Sequence, residues 1–79
     1  MQLTIKFFGR LQEAIGDTAV HLDLPDGATV AMLVDQLLAQ CPALAAQSFK
    51  VAVNRQMAPL EQVLVVGDEV AALPPFSGG

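Results

Sequence analysis

Val30, Leu33, Val34, Leu37, Leu38 and Cys41 fall at i, i+3, i+4, i+7, i+8 and i+11, which lays one apolar stripe along one face of a helix. Thr29 stands in front of the stripe as a good N-cap. Behind it, Pro42 cannot continue a helix and biases Cys41 away from the α region, so the spacing predicts a helix ending near Gln40 with Cys41 as a packing residue. A stripe this wide has to be buried against another element. What surrounds it is patterned in twos.

Leu3, Ile5 and Phe7 alternate with Gln2, Thr4 and Lys6, so a strand is predicted over about 2–8. Gly9 breaks that strand, and Leu11, Ala14 and Ile15 before Gly16-Asp17 predict a short helical turn at 10–15. Val20, Leu22 and Leu24 alternate with His21 and Asp23 up to Pro25-Asp26-Gly27, giving a second strand over 18–24, hairpinned to the first. Phe49, Val51 and Val53 alternate with Lys50 and Ala52 as a third strand. An Asn54-Arg55 turn leads to a short fourth strand near Gln56 to Ala58, which Pro59 ends. After the apolar Val63 to Val66 and a Gly67-Asp68 turn, Glu69 to Leu73 forms the last strand before Pro74-Pro75. The loop from Ala43 to Ser48 has the alanines for an extra helical turn. The expected class is α+β: a mixed sheet of about five strands, the terminal strands parallel at its centre, with one helix across one face. One domain over 1–79 is expected, with 75–79 as an extended tail.

At 79 residues a chain buries only about 60% of the surface it exposes unfolded, and domains of this size often use a disulfide or a metal. One cysteine closes no internal disulfide, and one histidine beside it does not make a zinc site. The core must therefore suffice, and 53% hydrophobic residues supply it. Only 15% are charged, against about 25% in typical domains, so apolar surface is expected outside, where a partner protein would cover it. A net charge of −4 argues against nucleic acid and anionic membrane as ligands. Met1 to Arg10 lacks the basic and apolar regions of a leader, and no apolar run reaches about 18 residues, so a cytoplasmic protein is expected.

Side-chain chemistry is sparse. His21 sits at an outward strand position, where a solvated histidine is the ordinary case. Cys41 lies at a helix C-terminus, where the dipole disfavours a thiolate. Gly9, Gly16, Gly27 and Gly67 have no phosphate-cradling spacing, and the Asp23, Asp26 and Asp68-Glu69 pairs sit at turns where carboxylates are simply solvated. The reactive feature that remains is the end, Gly78-Gly79, behind a diproline and Phe76. Glycine has no Cβ, so such an end threads a channel closed to side chains, and Pro74 to Gly79 reaches at most about 20 Å when extended. A terminal carboxylate is a poor electrophile until a partner converts it to an anhydride; thereafter it can accept sulfur or an amine. The tail alone leaves both open.

The segments Phe7-Phe8-Gly9-Arg10-Leu11-Gln12-Glu13-Ala14-Ile15-Gly16, Val53-Asn54, Gly67-Asp68-Glu69-Val70 and Leu73-Pro74-Pro75-Phe76-Ser77-Gly78-Gly79 resemble the sulfur-carrier subunits of molybdopterin synthase, a family of the ubiquitin-like β-grasp group. The family usually has arginine at position 12 and valine at 76, where this chain has Gln12 and Phe76. The resemblance implies a β-grasp fold and a chain that is no enzyme by itself and binds no cofactor. An adenylyltransferase of the ubiquitin-activating type would spend ATP to adenylate Gly79, with Gly78 beside it, and a sulfur donor protein would convert it to a thiocarboxylate. The tail would then enter the large catalytic subunit, in a heterotetramer, and give sulfur to a cyclic pyranopterin monophosphate. It also implies partner contacts at Phe8, Met57 and Leu73, with Phe76 at the root of the tail. Rivals are a thiamine-pathway sulfur carrier, a ubiquitin-like modifier conjugated to lysines, and a plain interaction domain.

Overall fold

The computed structural model describes residues 1–75; Phe76 to Gly79 lie outside the described residues. The chain folds as β1 (Gln2–Phe7), α1 (Arg10–Ile15), β2 (Ala19–Asp23), α2 (Val30–Gln40), a 3-10 turn (Pro42–Ala46), β3 (Lys50–Val53), β4 (Gln56–Met57) and β5 (Val70–Leu73). The strands make one sheet in the order β2-β1-β5-β3-β4. β1 and β5 are parallel neighbours at its centre, and the remaining pairings are antiparallel. The mixed sheet with one main helix is the β-grasp arrangement expected. Strand ends move by one residue: β1 stops at Phe7, β2 spans Ala19–Asp23, and β3, β4 and β5 are Lys50–Val53, Gln56–Met57 and Val70–Leu73.

The period-two pattern sorts the side chains as alternation requires. Leu3, Ile5 and Phe7 of β1, Leu22 of β2, Val51 and Val53 of β3, and Val70 and Ala72 of β5 are buried on the inner face. Val30, Leu33 and Leu37 of α2 are buried against that face, while Val34, Leu38 and Cys41 flank the core half-buried. Leu11, Leu44 and Leu64 complete the core from α1, the 3-10 turn and the loop before β5. No side-chain nitrogen or oxygen is buried without a partner among the described residues.

The start of α2 shows why the segment after β4 takes its path. The first backbone N–H groups of a helix lack partners within it. Here Val30 N–H donates to the Gln62 carbonyl (3.0 Å), Ala31 N–H to that of Leu60 (2.9 Å), and Met32 N–H to the Thr29 hydroxyl (3.4 Å). Thr29 is thus the cap its sequence position predicts, and the loop from Pro59 to Leu64 is stitched to the helix by its own carbonyls. On its exposed side α2 also reaches the sheet edge. Gln36 and Gln40, one turn apart, donate Nε2–H to the carbonyls of Asp23 and His21 on β2, each at 3.3 Å.

Candidate functional site at the root of the tail

Pro74 and Pro75 leave the end of β5, which lies in the middle of the sheet beside β1. Gly9 fixes that departure. Its backbone lies at φ +60°, ψ −138°, a region nearly restricted to glycine, and a Cβ placed there would come within 3.2 Å of Pro74 Cγ. The glycine that ends β1 is thus both a backbone requirement and a seat for the first tail proline. Gln12 reaches back from α1 and donates its Nε2–H to the Phe7 carbonyl at 2.8 Å, which ties this corner together.

The outer face of the sheet next to this root carries a groove of about 500 Å³. Its floor follows from register: Ala52 lies opposite both Ala71 and Met57, and Ala71 lies opposite Lys6. Two alanines on adjacent inner strands leave a trough, which Phe8, Met57, Leu73, Arg55 and Glu69 also line. Phe8 N–H donates to the Ala72 carbonyl at 3.3 Å, which carries the β1–β5 pairing one residue past the strand and turns the ring outward. Phe8 is 43% exposed and Met57 50%, large values for apolar side chains of this size, while Ala52 beneath them is 5% exposed.

The hairpin tip that presents Arg55 is built by side chains. Asn54 and Arg55 both have positive φ (51° and 69°), as a two-residue primed turn demands. Asn54 Nδ2 donates to Asp68 Oδ1 (2.9 Å), Glu69 N–H donates to Asn54 Oδ1 (3.0 Å), and Asp68 Oδ2 accepts from Val65 N–H (2.9 Å). Asp68 therefore joins two turns, where its place in the sequence predicts only a solvated carboxylate.

Of the residues singled out from sequence, Phe8, Met57 and Leu73 come together in one groove, and Phe76, Gly78 and Gly79 lie outside the described residues. Sequence reasoning missed Ala52, Ala71, Arg55 and Glu69. Their outward parity was readable, but their adjacency needed the strand order. His21 and Cys41 do not line the groove. His21 Nδ1 is hydrogen-bonded to the Thr4 hydroxyl at 2.9 Å, and burial, with a smaller contribution from the Asp17 carboxylate, pushes the Cys41 thiol above the usual cysteine range. Among the described residues no His, Cys, Asp and Glu group could hold a metal ion, and no helix is long and apolar enough to cross a membrane.

The family model described as the ThiS family matches residues 5–79. The molybdopterin synthase sulfur carrier subunit of Mycobacterium tuberculosis is 38% identical, with 100% of this chain and 99% of that protein covered. The Haemophilus influenzae protein of the same name is 39% identical over 98% of this chain and 99% of its own length. The crystal structure of small archaeal modifier protein 1 from Haloferax volcanii superposes with a TM-score of 0.86 at 31% identity, covering both chains completely.

Proposed function

The chain belongs to the ThiS family, and from that premise we propose that it is the sulfur carrier subunit of a molybdopterin synthase. The observation that carries the reading is the end-to-end correspondence with carriers of that name from two bacteria. In this reading Gly79 is the working residue, Gly78 its unhindered approach, and the folded body a handle. A carboxylate oxygen of Gly79 attacks the α-phosphorus of ATP on an adenylyltransferase, and pyrophosphate leaves. Hydrosulfide released by a donor protein then attacks the acyl carbon and AMP leaves with the C–O bonding pair, giving a thiocarboxylate and a proton. Inserted into the large catalytic subunit, the thiocarboxylate gives its sulfur to a cyclic pyranopterin monophosphate and returns to carboxylate with an oxygen from water. Two such deliveries complete a dithiolene. The chain itself needs no bound cofactor and acts as a non-catalytic subunit, with the catalytic groups on the larger partner. Phe8, Met57, Leu73 and Phe76 are the contacts to that partner.

The folded body suits this role. A tail leaving beside an apolar groove lets one partner surface grip the body while a neighbouring channel takes the end. Intact-mass analysis of the protein from cells tests the reading: a gain of about 16 Da, sulfur for oxygen, at the C-terminus is expected. Deleting Gly79 should abolish dithiolene formation in a reconstituted synthase, and normal turnover by that variant would refute the proposal.

A second reading has its own support, the likeness to small archaeal modifier protein 1. A modifier would leave a diglycyl remnant on lysines of other proteins. Finding such remnants from this chain, with no thiocarboxylate, would favour it.

A further inference from the structure

One apolar surface of the molecule has no place in the carrier reading. Leu60, Val63, Val65 and Val66, all between β4 and β5, are 55%, 55%, 58% and 75% exposed, and none of them lines the outer groove. Together they present about 400 Å² of aliphatic surface, the size at which a contiguous patch on a monomer marks a contact. The backbone beneath them is extended. Thr29 and Val63 form an antiparallel bridge, flanked by the bonds from Val30 N–H to the Gln62 carbonyl (3.0 Å) and from Leu64 N–H to the Ala28 carbonyl (2.8 Å). In that pattern the bridged residues direct their own N–H and C=O away from each other. Val63 therefore turns a donor and an acceptor outward, and neither has a partner among the described residues. The open edge is one residue long. Gln62 N–H closes a turn on the Pro59 carbonyl (3.1 Å), and Asp68 takes both backbone groups of Val65, its N–H on Oδ2 (2.9 Å) and its carbonyl from the Asp68 N–H (3.1 Å).

One outward donor and one outward acceptor on the same residue, ringed by aliphatic side chains, make a surface that is complementary to itself under two-fold rotation. It is too short to recruit a longer foreign strand. We propose that this segment pairs with the same segment of a second copy of the chain, Val63 opposite Val63, each donating its N–H to the other's carbonyl. In that register Glu61 stands opposite Val65 and not opposite itself, so like charges do not meet directly. Val66 of one copy is carried toward Leu60 of the other, which lines a cavity of about 570 Å³ with Val34, Leu38 and Phe49. Two copies then bury on the order of 1,000 Å², the low end for a specific contact, which sets a weak dimer with a Kd of about 10–100 µM. The two-fold axis closes the contact, so assembly stops at two. Copies that each carry a net charge of −4 repel, so association tightens as salt screens them. The dimer neither uses the carrier reading nor alters it.

Sedimentation equilibrium of the full chain, from 5 µM to 1 mM in 20 and 500 mM NaCl, measures the association. A monomer–dimer equilibrium is expected, several-fold tighter at the higher salt. The double variant Val65→Asp, Val66→Asp should weaken it at least about tenfold while the melting midpoint stays nearly unchanged, since both side chains are exposed. Register is read by disulfide trapping in a Cys41→Ala background. Val63→Cys should cross-link to itself in a glutathione redox buffer, because directly opposed residues that exchange hydrogen bonds stand about 5.5 Å apart at Cα, within disulfide reach. Val66→Cys, whose counterpart is Leu60, should cross-link to itself far more slowly. A chain that stays monomeric at 1 mM in both salts overturns the proposal. So does a dimer indifferent to the double variant, or trapping of Val66→Cys as fast as that of Val63→Cys.

Discussion

Substituting Gly9 by alanine separates two demands that the structure places on one residue. The first is conformational: an L-residue at φ +60°, ψ −138° sits in a region that costs about 1–3 kcal/mol. The second is contact, since the new methyl would press on Pro74 Cγ at 3.2 Å, closer than side chains ordinarily approach. Together these should destabilise the fold by about 2 kcal/mol, which for a domain of this length lowers the thermal midpoint by roughly 8–16 °C. Gly67→Ala is the reference, because Gly67 also has positive φ (+92°) but no atom within 4 Å of where its methyl would stand, so it should show a backbone penalty of about 1 kcal/mol only. Pro74→Ala removes the ring carbons that the methyl meets, and the double substitution should recover about 0.5–1 kcal/mol relative to the sum of the single ones. Circular dichroism melts of the four variants measure all of this. Equal losses in Gly9→Ala and Gly67→Ala, with strict additivity in the double variant, would refute the claim that Gly9 seats the tail root.

Phe8→Asp places a charge on an exposed groove wall; the fold should survive with its melting midpoint nearly unchanged while affinity for the large subunit falls about 30-fold, or about 2 kcal/mol. Unfolding of that variant would reassign Phe8 to the core. Arg55→Gly should stabilise by about 0.5–1 kcal/mol in a urea titration, because glycine is the preferred second residue of a primed turn and Arg55 holds φ 69° without that freedom; a loss of stability would show that the arginine side chain supports the hairpin. For Cys41 the sign follows from burial: its raised pKa keeps the folded thiol protonated where the unfolded one ionises. Its contribution to stability is therefore intact below the ordinary cysteine pKa and is lost as pH rises through and above it. Iodoacetamide should alkylate the native protein several-fold more slowly than the urea-unfolded chain at pH 8, and equal rates would contradict the burial argument.

Legibility in the sequence tracked locality. α2 is readable to its last residue because its stripe, its Thr29 cap and its Pro42 stop are all written within about fourteen positions. The β1–β2 hairpin and the Asn54-Arg55 turn are equally local. Parity also predicts that Phe8 faces away from Leu3, Ile5 and Phe7, and it does. The groove is less accessible, since its floor exists only because β5 inserts between β1 and β3 and sets Ala71 beside Ala52. Asp68 escapes for the same reason: its partners, Asn54 and Val65, belong to different turns, and nothing at Gly67-Asp68 announces the first of them. The tail is legible as chemistry, from the identity of Gly78 and Gly79, without any geometry at all.

Gln36 and Gln40 have a bearing on how this small molecule survives at working concentrations. The border strand of any sheet is an invitation to a passing chain, because its backbone acceptors can be read by a stranger's donors as readily as by a neighbour's. Here two amide arms, spaced one helical turn apart, already occupy the carbonyls of His21 and Asp23. A second copy seeking to extend the sheet on that side would first have to pull both arms away, so association is left to the opposite flank and to the outward-facing alanine trough.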